Sequence, residues 1–331
     1  WEEGPAAGSC RLLQVTVGQV LEGGAVAGRP VLEGLGGCPD DEELLPLGEG
    51  QVLMVLGSGS DALTLAVWDE SPDEAAEAGQ WSEPSRLAYS FEEPASGRRV
   101  YLGDLRVALV KVPGDAGDGL TGKALVAVGT DQEGDVWATS SATGALELVF
   151  APPSPWPPPE GVYEGEAYAD LPAMAADGEG RVHALWAEAA SAGEPPEGLV
   201  YARGDGEGWT PPAQVLQCPE AGIGEPDLVV QGERLHAVWS CQEGVIYHSY
   251  AFAQDAYTAG GWSEPGLVSE ARYFADQPDL VVDADGVLHA VFAVPVNEGR
   301  GIYYTRSADG EVWEAPSQVF DAAEAGWMAV G

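Results

Sequence analysis

Three phrases recur at a fixed interval, and they constrain the fold more than any other feature of the 331-residue chain. RVHALW, RLHAVW and VLHAVF place His183, His236 and His289 53 residues apart in each case. Ahead of them stand ADLPAMAA (169–176), EPDLVV (225–230) and QPDLVV (277–282); behind them come GLVYAR (198–203), GVIYHS (244–249) and GIYYTR (301–306). Each unit closes on an aromatic-proline phrase: GWTPP (208–212), GWSEP (261–265) and VWEAP (312–316). Four strand-like runs therefore return in one order, separated by Gly/Asp/Glu turns such as DADG (283–286).

Four short strands in about 50 residues describe one blade of a β-propeller. The runs are apolar on both faces, since Leu235, Ala237 and Trp239 alternate with His236 and Val238. Sheets packed against neighbours on both sides read this way. Period-2 patterning, 45 Gly and 25 Pro argue against a helical solenoid. The clear blades span about 166–217, 224–271 and 275–320.

Fainter copies lie upstream. ALVAVGTDQEGDVWATSS (124–141) aligns with the strand pair around His289 and puts Trp137 where the histidines sit, with GALELVFAP (144–152) as the next strand. QVLMVLGS (51–58), ALTLAVWD (62–69) and QWSEPSRLAYSF (80–91) read as strands two to four of a blade lacking a local first strand. GWMAVG (326–331) supplies that first strand, closing the ring and removing exposed edges. RRVYLGDLRVALVKV (98–112) is assigned to a further, irregular blade. The expectation is an all-β propeller over 45–331 with six blades, five of them recognisable, and an N-terminal extension or irregular blade element at 1–44.

Charge narrows the partners. With 54 Asp+Glu against 14 Lys+Arg, a formal −40, the surface repels phosphate backbones and anionic membranes. Cations, basic proteins and neutral sugars are compatible with it. No apolar run approaches the length of a membrane span. The chain opens WEEGPAAGSC, with no basic-then-apolar leader, as expected of a processed secreted protein or of an excerpt from a longer one. Cysteines 10, 38, 218 and 241 form no CxxC and have no histidine at zinc spacing. Their even number favours disulfides, and proximity in sequence favours Cys10–Cys38 and Cys218–Cys241, two of the possible pairings.

At this point the chain resembles the bacterial-neuraminidase-repeat, or sialidase-like, propellers, over about 166–331 and more loosely over 45–165. The family's Asp-box, Ser/Thr-x-Asp-x-Gly-x-x-Trp, is matched in shortened form by SADGEVW, through Ser307, Asp309, Gly310 and Trp313. RGDGEGW repeats it with Asp205, Gly206 and Trp209, with Arg203 in the serine's place. The resemblance implies a structural box whose carboxylate accepts turn N–H groups while the Trp packs between strands. It also implies, for an active sialidase, three arginines, a Tyr–Glu nucleophile pair and an acid/base Asp. Among the arginines of the repeat region only Arg272 and Arg300 stand singly on loops able to reach a common face.

A catalytic histidine is usually unique, whereas this one recurs in register, so His183, His236 and His289 are read as structural. His248 is read as a third-strand residue in register with Ala202 and Thr305. The acidic turns DADG, DGEG (177–180) and DQEG (131–134) offer oxygens to calcium but use the letters of ordinary Asx turns. Propeller ligands meet the face where the loops from strand four to strand one and from strand two to strand three converge. There YEGEAYADLP, CPEAGIGEPD, SEARYFADQPD and DAAEAGWM combine acids with aromatics, giving Tyr168, Glu225, Asp227, Arg272, Tyr273, Arg300 and Trp327 as candidate ligand-binding residues. The expected role is recognition or assembly outside the cell, with a glycan or protein ligand and other domains or subunits as partners. The alternative is a sialidase-like glycoside hydrolase.

Overall fold

The computed structural model describes residues 2–3, 10–14, 29–35, 41–48, 51–57, 62–69, 80–81, 85–88, 91–92, 99–100, 103–111, 123–131, 133–140, 160–163, 165, 167–219, 222–269, 274–295 and 299–321. The architecture is all-β: a β-propeller with five blades of four antiparallel strands each. One turn of 3-10 helix, Ala259–Gly261, is the only helix among the described residues. Backbone contacts divide the chain into two compact units, Trp1–Ala127 with Thr139–Pro159, and Val128–Ala138 with Glu160–Gly331.

Blade 1 comprises Asp41–Gly48, Gln51–Gly57, Ala62–Asp69 and Gln80–Trp81, with Ser85–Ala88 also paired to the third strand. Leu53, Met54, Leu56 and Leu65 fill its interior. Glu2–Glu3, Cys10–Gln14 and Arg29–Leu35 form a separate three-stranded antiparallel sheet. Blade 2 comprises Gly103–Lys111, Lys123–Thr130, Val136–Ser140 and Glu160–Tyr163.

Blades 3, 4 and 5 are the regular ones. Their strands are Tyr168–Ala176, Val182–Ala189, Gly198–Gly204 and Ala213–Leu216; Ile223–Gln231, Arg234–Cys241, Val245–Phe252 and Gly266–Leu267; and Asp276–Val282, Leu288–Val294, Gly301–Ser307 and Ser317–Asp321. Three residues after each repeated histidine, Trp186, Trp239 and Phe292 are fully buried. The first strands of blades 3 and 4, and of blades 4 and 5, pack side by side. Asp227 brackets the second pair, since its Oδ1 accepts Leu228 N–H at 2.7 Å and its Oδ2 accepts Leu280 N–H of the next blade at 2.6 Å.

Each of these first strands slips register once, at Asp170/Ala173, Ile223/Pro226 and Asp276/Asp279, around Pro172, Pro226 and Pro278. A proline cannot donate to the ladder, so the bulge is where it is tolerated. Pairing Ala173, Asp227 and Asp279 with Leu185, Val238 and Val291 fixes a common register. Counting back from it, Tyr168, Gly222 and Phe274 are equivalent, as are Asp170, Gly224 and Asp276.

Several sequence expectations change. Five blades replace six, because Gly103–Lys111 joins the sheet of 123–163 instead of starting a blade of its own. The first strand of blade 1 is local: Asp41–Gly48 pairs with Gln51–Gly57, whereas 326–331 lie outside the described residues. Trp137 does not occupy the histidine register. Its turn joins the second and third strands of blade 2, while the Asp177 and Asp283 turns join first to second. The likeness is chemical and local: Trp137 Nε1 donates to Asp131 Oδ2 at 3.0 Å, and His289 Nε2 meets Asp283 Oδ2 at 2.9 Å. The segment 144–152 lies outside the described residues. His248 is equivalent to Tyr201 and Tyr304, one residue from the expected match, because each of the three contacts the Nδ1 of its blade's histidine.

Candidate functional site

A cleft of about 410 Å³ opens at one end of blades 3 to 5. Its walls are the starts of two first strands, Gly222–Ile223–Gly224 and Phe274–Ala275–Asp276, and the turns between second and third strands, through Pro195 and Pro196, Ser240, Cys241, Gln242 and Gly244, and Pro295. This is the face on which sequence reasoning placed a ligand.

The cleft follows from the repeat. At the two positions where blades 3 and 5 carry Tyr168 with Asp170 and Phe274 with Asp276, blade 4 carries Gly222 and Gly224. A Cβ on Gly222 would lie 2.7 Å from Gln242 Cβ, and one on Gly224 would lie 2.1 Å from Ser240 Oγ. Gly222 also has φ +98°, which favours glycine. Glycine at both positions therefore lets Gln242 and Ser240 pack directly against the first strand of blade 4, where blades 3 and 5 carry large side chains.

Phe274 forms the apolar lip. It is 51% exposed and holds φ +51°, an unusual state for an aromatic residue. Ala275 N–H donates to Gly244 O at 2.8 Å, and a Cβ on Gly244 would lie 2.4 Å from Phe274 Cα. Blade 3 repeats this clamp, with Ala169 N–H on Gly134 O at 3.0 Å and Tyr168 over Gly134. Beside Phe274, Asp276 is exposed and its Oδ1 accepts Gln277 N–H at 2.9 Å. Ser240 is buried on the floor, Gln242 is exposed on the rim, and the Cys218–Cys241 disulfide ties the wall to the chain leaving blade 3. The cleft thus joins an aromatic face to a carboxylate, a hydroxyl and an amide.

Of the residues expected to bind ligand, none of the described ones lines this cleft. Tyr168 holds the position equivalent to Phe274 in blade 3. Glu225 is half-buried in the first strand of blade 4, and Asp227 serves the inter-blade bracket. Arg300 stands before the third strand of blade 5, its carbonyl accepting Gln318 Nε2–H at 2.9 Å. Arg272, Tyr273 and Trp327 lie outside the described residues, as does Cys38, the expected partner of Cys10. The residues missed were Gly222, Gly224, Ser240, Gln242 and Asp276. The signal that would have found them is the loss of two large side chains from one repeat.

SADGEVW and RGDGEGW, read above as shortened boxes, form turns capped by their own carboxylates. Asp309 Oδ1 accepts Glu311 N–H at 2.9 Å and Val312 N–H at 3.1 Å, which holds its carboxyl below the usual range. Ser307 Oγ donates to Val312 O at 2.7 Å and accepts Gly310 N–H at 2.9 Å. Trp313 meets His248 edge-on at 5.3 Å. In the other box Asp205 Oδ1 accepts Glu207 N–H at 3.0 Å, Gly206 takes φ +85°, and Trp209 Nε1 donates to Glu160 of blade 2 at 3.0 Å.

The histidines run in polar threads through the blades. His183 lies between Tyr201 at 2.7 Å and Asp177 at 3.2 Å; His236 between His248 at 3.0 Å and Gln231 at 3.1 Å; His289 between Tyr304 at 2.8 Å and Asp283 at 2.9 Å. Burial depresses His183 and His236 to about 4 and His248 to about 3. Burial alone would raise Asp177, but hydrogen bonds from Arg181, His183 and Glu179 outweigh it and leave the carboxyl low. The acidic turns spend their carboxylates internally, as Asp283 Oδ1 does on Asp285 N–H at 2.9 Å and Val287 N–H at 2.8 Å. Among the described residues no three His, Cys, Asp or Glu cluster in a way that could hold a metal ion.

Two tyrosine–glutamate pairs are present among the described residues: Tyr250 Oη donates to Glu311 Oε1 at 3.1 Å, and Tyr163 pairs with Glu188. Tyr163 of the outermost strand of blade 2 donates to Glu188, at the end of the second strand of blade 3. Burial and the Glu188 charge raise the phenol, and burial raises Glu188.

No family model and no curated protein matches the sequence. Solved structures do match in fold. A variant of AofleA from Arthrobotrys oligospora has a TM-score of 0.55 at 13% identity, over 89% of this chain and 77% of its own. The fucose-specific lectin from Aleuria aurantia has 0.55 at 12%, over 92% and 87%. The alpha-L-arabinofuranosidase Arb93A from Fusarium graminearum, solved with an iminosugar inhibitor, has 0.53 at 10%, over 95% and 86%. At these identities the likeness is one of architecture.

Proposed function

We propose that the chain is a non-enzymatic propeller that binds carbohydrate outside the cell, in the cleft between Phe274 and Asp276. The observation that carries this reading is the exposed Phe274, held in a left-handed conformation in a cleft that a carboxylate and a buried hydroxyl also line. Sugars present C–H faces that stack on aromatic rings and hydroxyls that need acceptors and donors, and a concave site with a few convergent polar groups suits them. The Cys218–Cys241 disulfide agrees with an oxidising location, and the acidic surface agrees with a secreted protein or a domain of a larger extracellular assembly. Propellers of like fold include a fucose-specific lectin and an arabinofuranosidase, so the fold alone does not choose between binding and hydrolysis.

Local chemistry favours binding. Glycoside hydrolysis needs two carboxyl groups at a defined separation across the scissile bond. Among the described residues lining the cleft, Asp276 is the single carboxylate. Tyr163 with Glu188 and Tyr250 with Glu311 offer nucleophile pairs in name, yet both phenols are raised, opposite to an activated nucleophile. A glycan array followed by calorimetry of the best ligand tests the reading, with Phe274→Ala expected to weaken binding at least ten-fold. Turnover of a chromogenic arabinoside, fucoside or sialoside by the wild-type chain would replace it with the hydrolase reading.

A further inference from the structure

We infer that the cleft selects uncharged saccharides against acidic ones, and that Asp276 sets the preference; the inference rests on the carbohydrate reading above. Among the described residues that line the cleft, Asp276 is the only charged side chain, and no lysine or arginine is there to receive a sugar carboxylate or sulfate. Its carboxylate is aimed, because Oδ1 is tied to Gln277 N–H and Gln277 itself holds φ +51°. Ser240 Oγ and Asp276 Oδ1 both approach Gly224, where an added Cβ would meet them at 2.1 Å and 3.5 Å, so a donor and an acceptor flank one stretch of the cleft wall. A sugar hydroxyl there can accept from Ser240 and donate to Asp276. A sugar carboxylate there faces a fixed like charge on a protein already at −40.

Like charges at 4 Å are worth about a five-fold loss of affinity even with the full screening of water, and more in a partly enclosed cleft. The test is calorimetry or surface plasmon resonance of the full chain on matched probes: lactose against sialyllactose, and galactan oligomers against oligogalacturonates of equal length. The expected result is that each acidic probe binds at least ten-fold more weakly than its neutral match. The penalty should shrink as salt is raised, because screening weakens it. In Asp276→Asn, which keeps the oxygen that caps Gln277, the acidic-to-neutral affinity ratio should rise about ten-fold. Three results overturn the inference while leaving carbohydrate binding intact: a preference for acidic probes, a ratio unchanged by Asp276→Asn, or acidic binding that vanishes in Arg272→Ala. Failure of every saccharide to bind would instead remove the carbohydrate reading itself, and this inference with it.

Discussion

Gly244 shows how much a single residue decides here. Its φ of +79° and the 2.4 Å between a built Cβ and Phe274 Cα leave no room for any side chain. Gly244→Ala should destabilise the fold by about 1–3 kcal/mol, read from urea midpoints, with loss of ligand affinity. Trp186 and Trp239 make the opposite case. Both indole N–H groups are buried without a hydrogen-bond partner, and the equivalent Phe292 lacks that group. Trp239→Phe should therefore cost under about 1 kcal/mol, far below the 3–5 kcal/mol typical of truncating a core tryptophan. The buried imidazoles give a pH dependence with a definite sign. An unfolded histidine takes up its proton near 6.5, whereas His183 and His236 wait until about 4. Between those values the unfolded chain binds more protons, so stability is full above pH 6.5 and falls as pH drops toward 4. Denaturation midpoints flat across that window would contradict the buried, neutral assignment.

At the level of strands and turns, one polar thread is rewritten from blade to blade without changing its geometry. The partner of the histidine's Nδ1 is Tyr201, His248 or Tyr304, and the partner of its Nε2 is Asp177, Gln231 or Asp283. Sequence alone made the histidine visible because its letter repeats; its partners stayed hidden because different letters serve the same distance. The same blindness explains Trp137. Its Asp131 turn spells nearly what the Asp283 turn spells, yet it closes the other end of a blade, since an Asx turn records local hydrogen bonding and not strand number. The Asp227 bracket makes a further prediction for this scale. Asp227→Ala removes the acceptor for Leu280 N–H across two blades, and should cost about 1–3 kcal/mol, while Asp227→Asn, which keeps one oxygen acceptor, should cost less.

For the molecule as a whole, the all-β propeller was legible, because strand spacing and turn chemistry are written in every copy. Blade number was misjudged where copies fade, since Gly103–Lys111 carries strand letters but no repeat signature to say which sheet it joins. The cleft residues were illegible for another reason: a wall that turns on two glycines has no motif. The Cys218–Cys241 bond, spanning 23 residues between two blades, should contribute about 3 kcal/mol by restricting the unfolded chain. Reduction should lower the melting temperature by several degrees, and an unchanged transition would mean the bond is ornamental.

Phe274 carries one more consequence. A large ring kept at φ +51° is a conformational debt that glycine would not incur, by about 1 kcal/mol, and half of that ring faces solvent. Phe274→Gly should therefore yield a hardier protein that has lost its ligand. Selection for robustness and selection for recognition pull on this one position in opposite directions, and retention of the aromatic among natural variants would show which has prevailed.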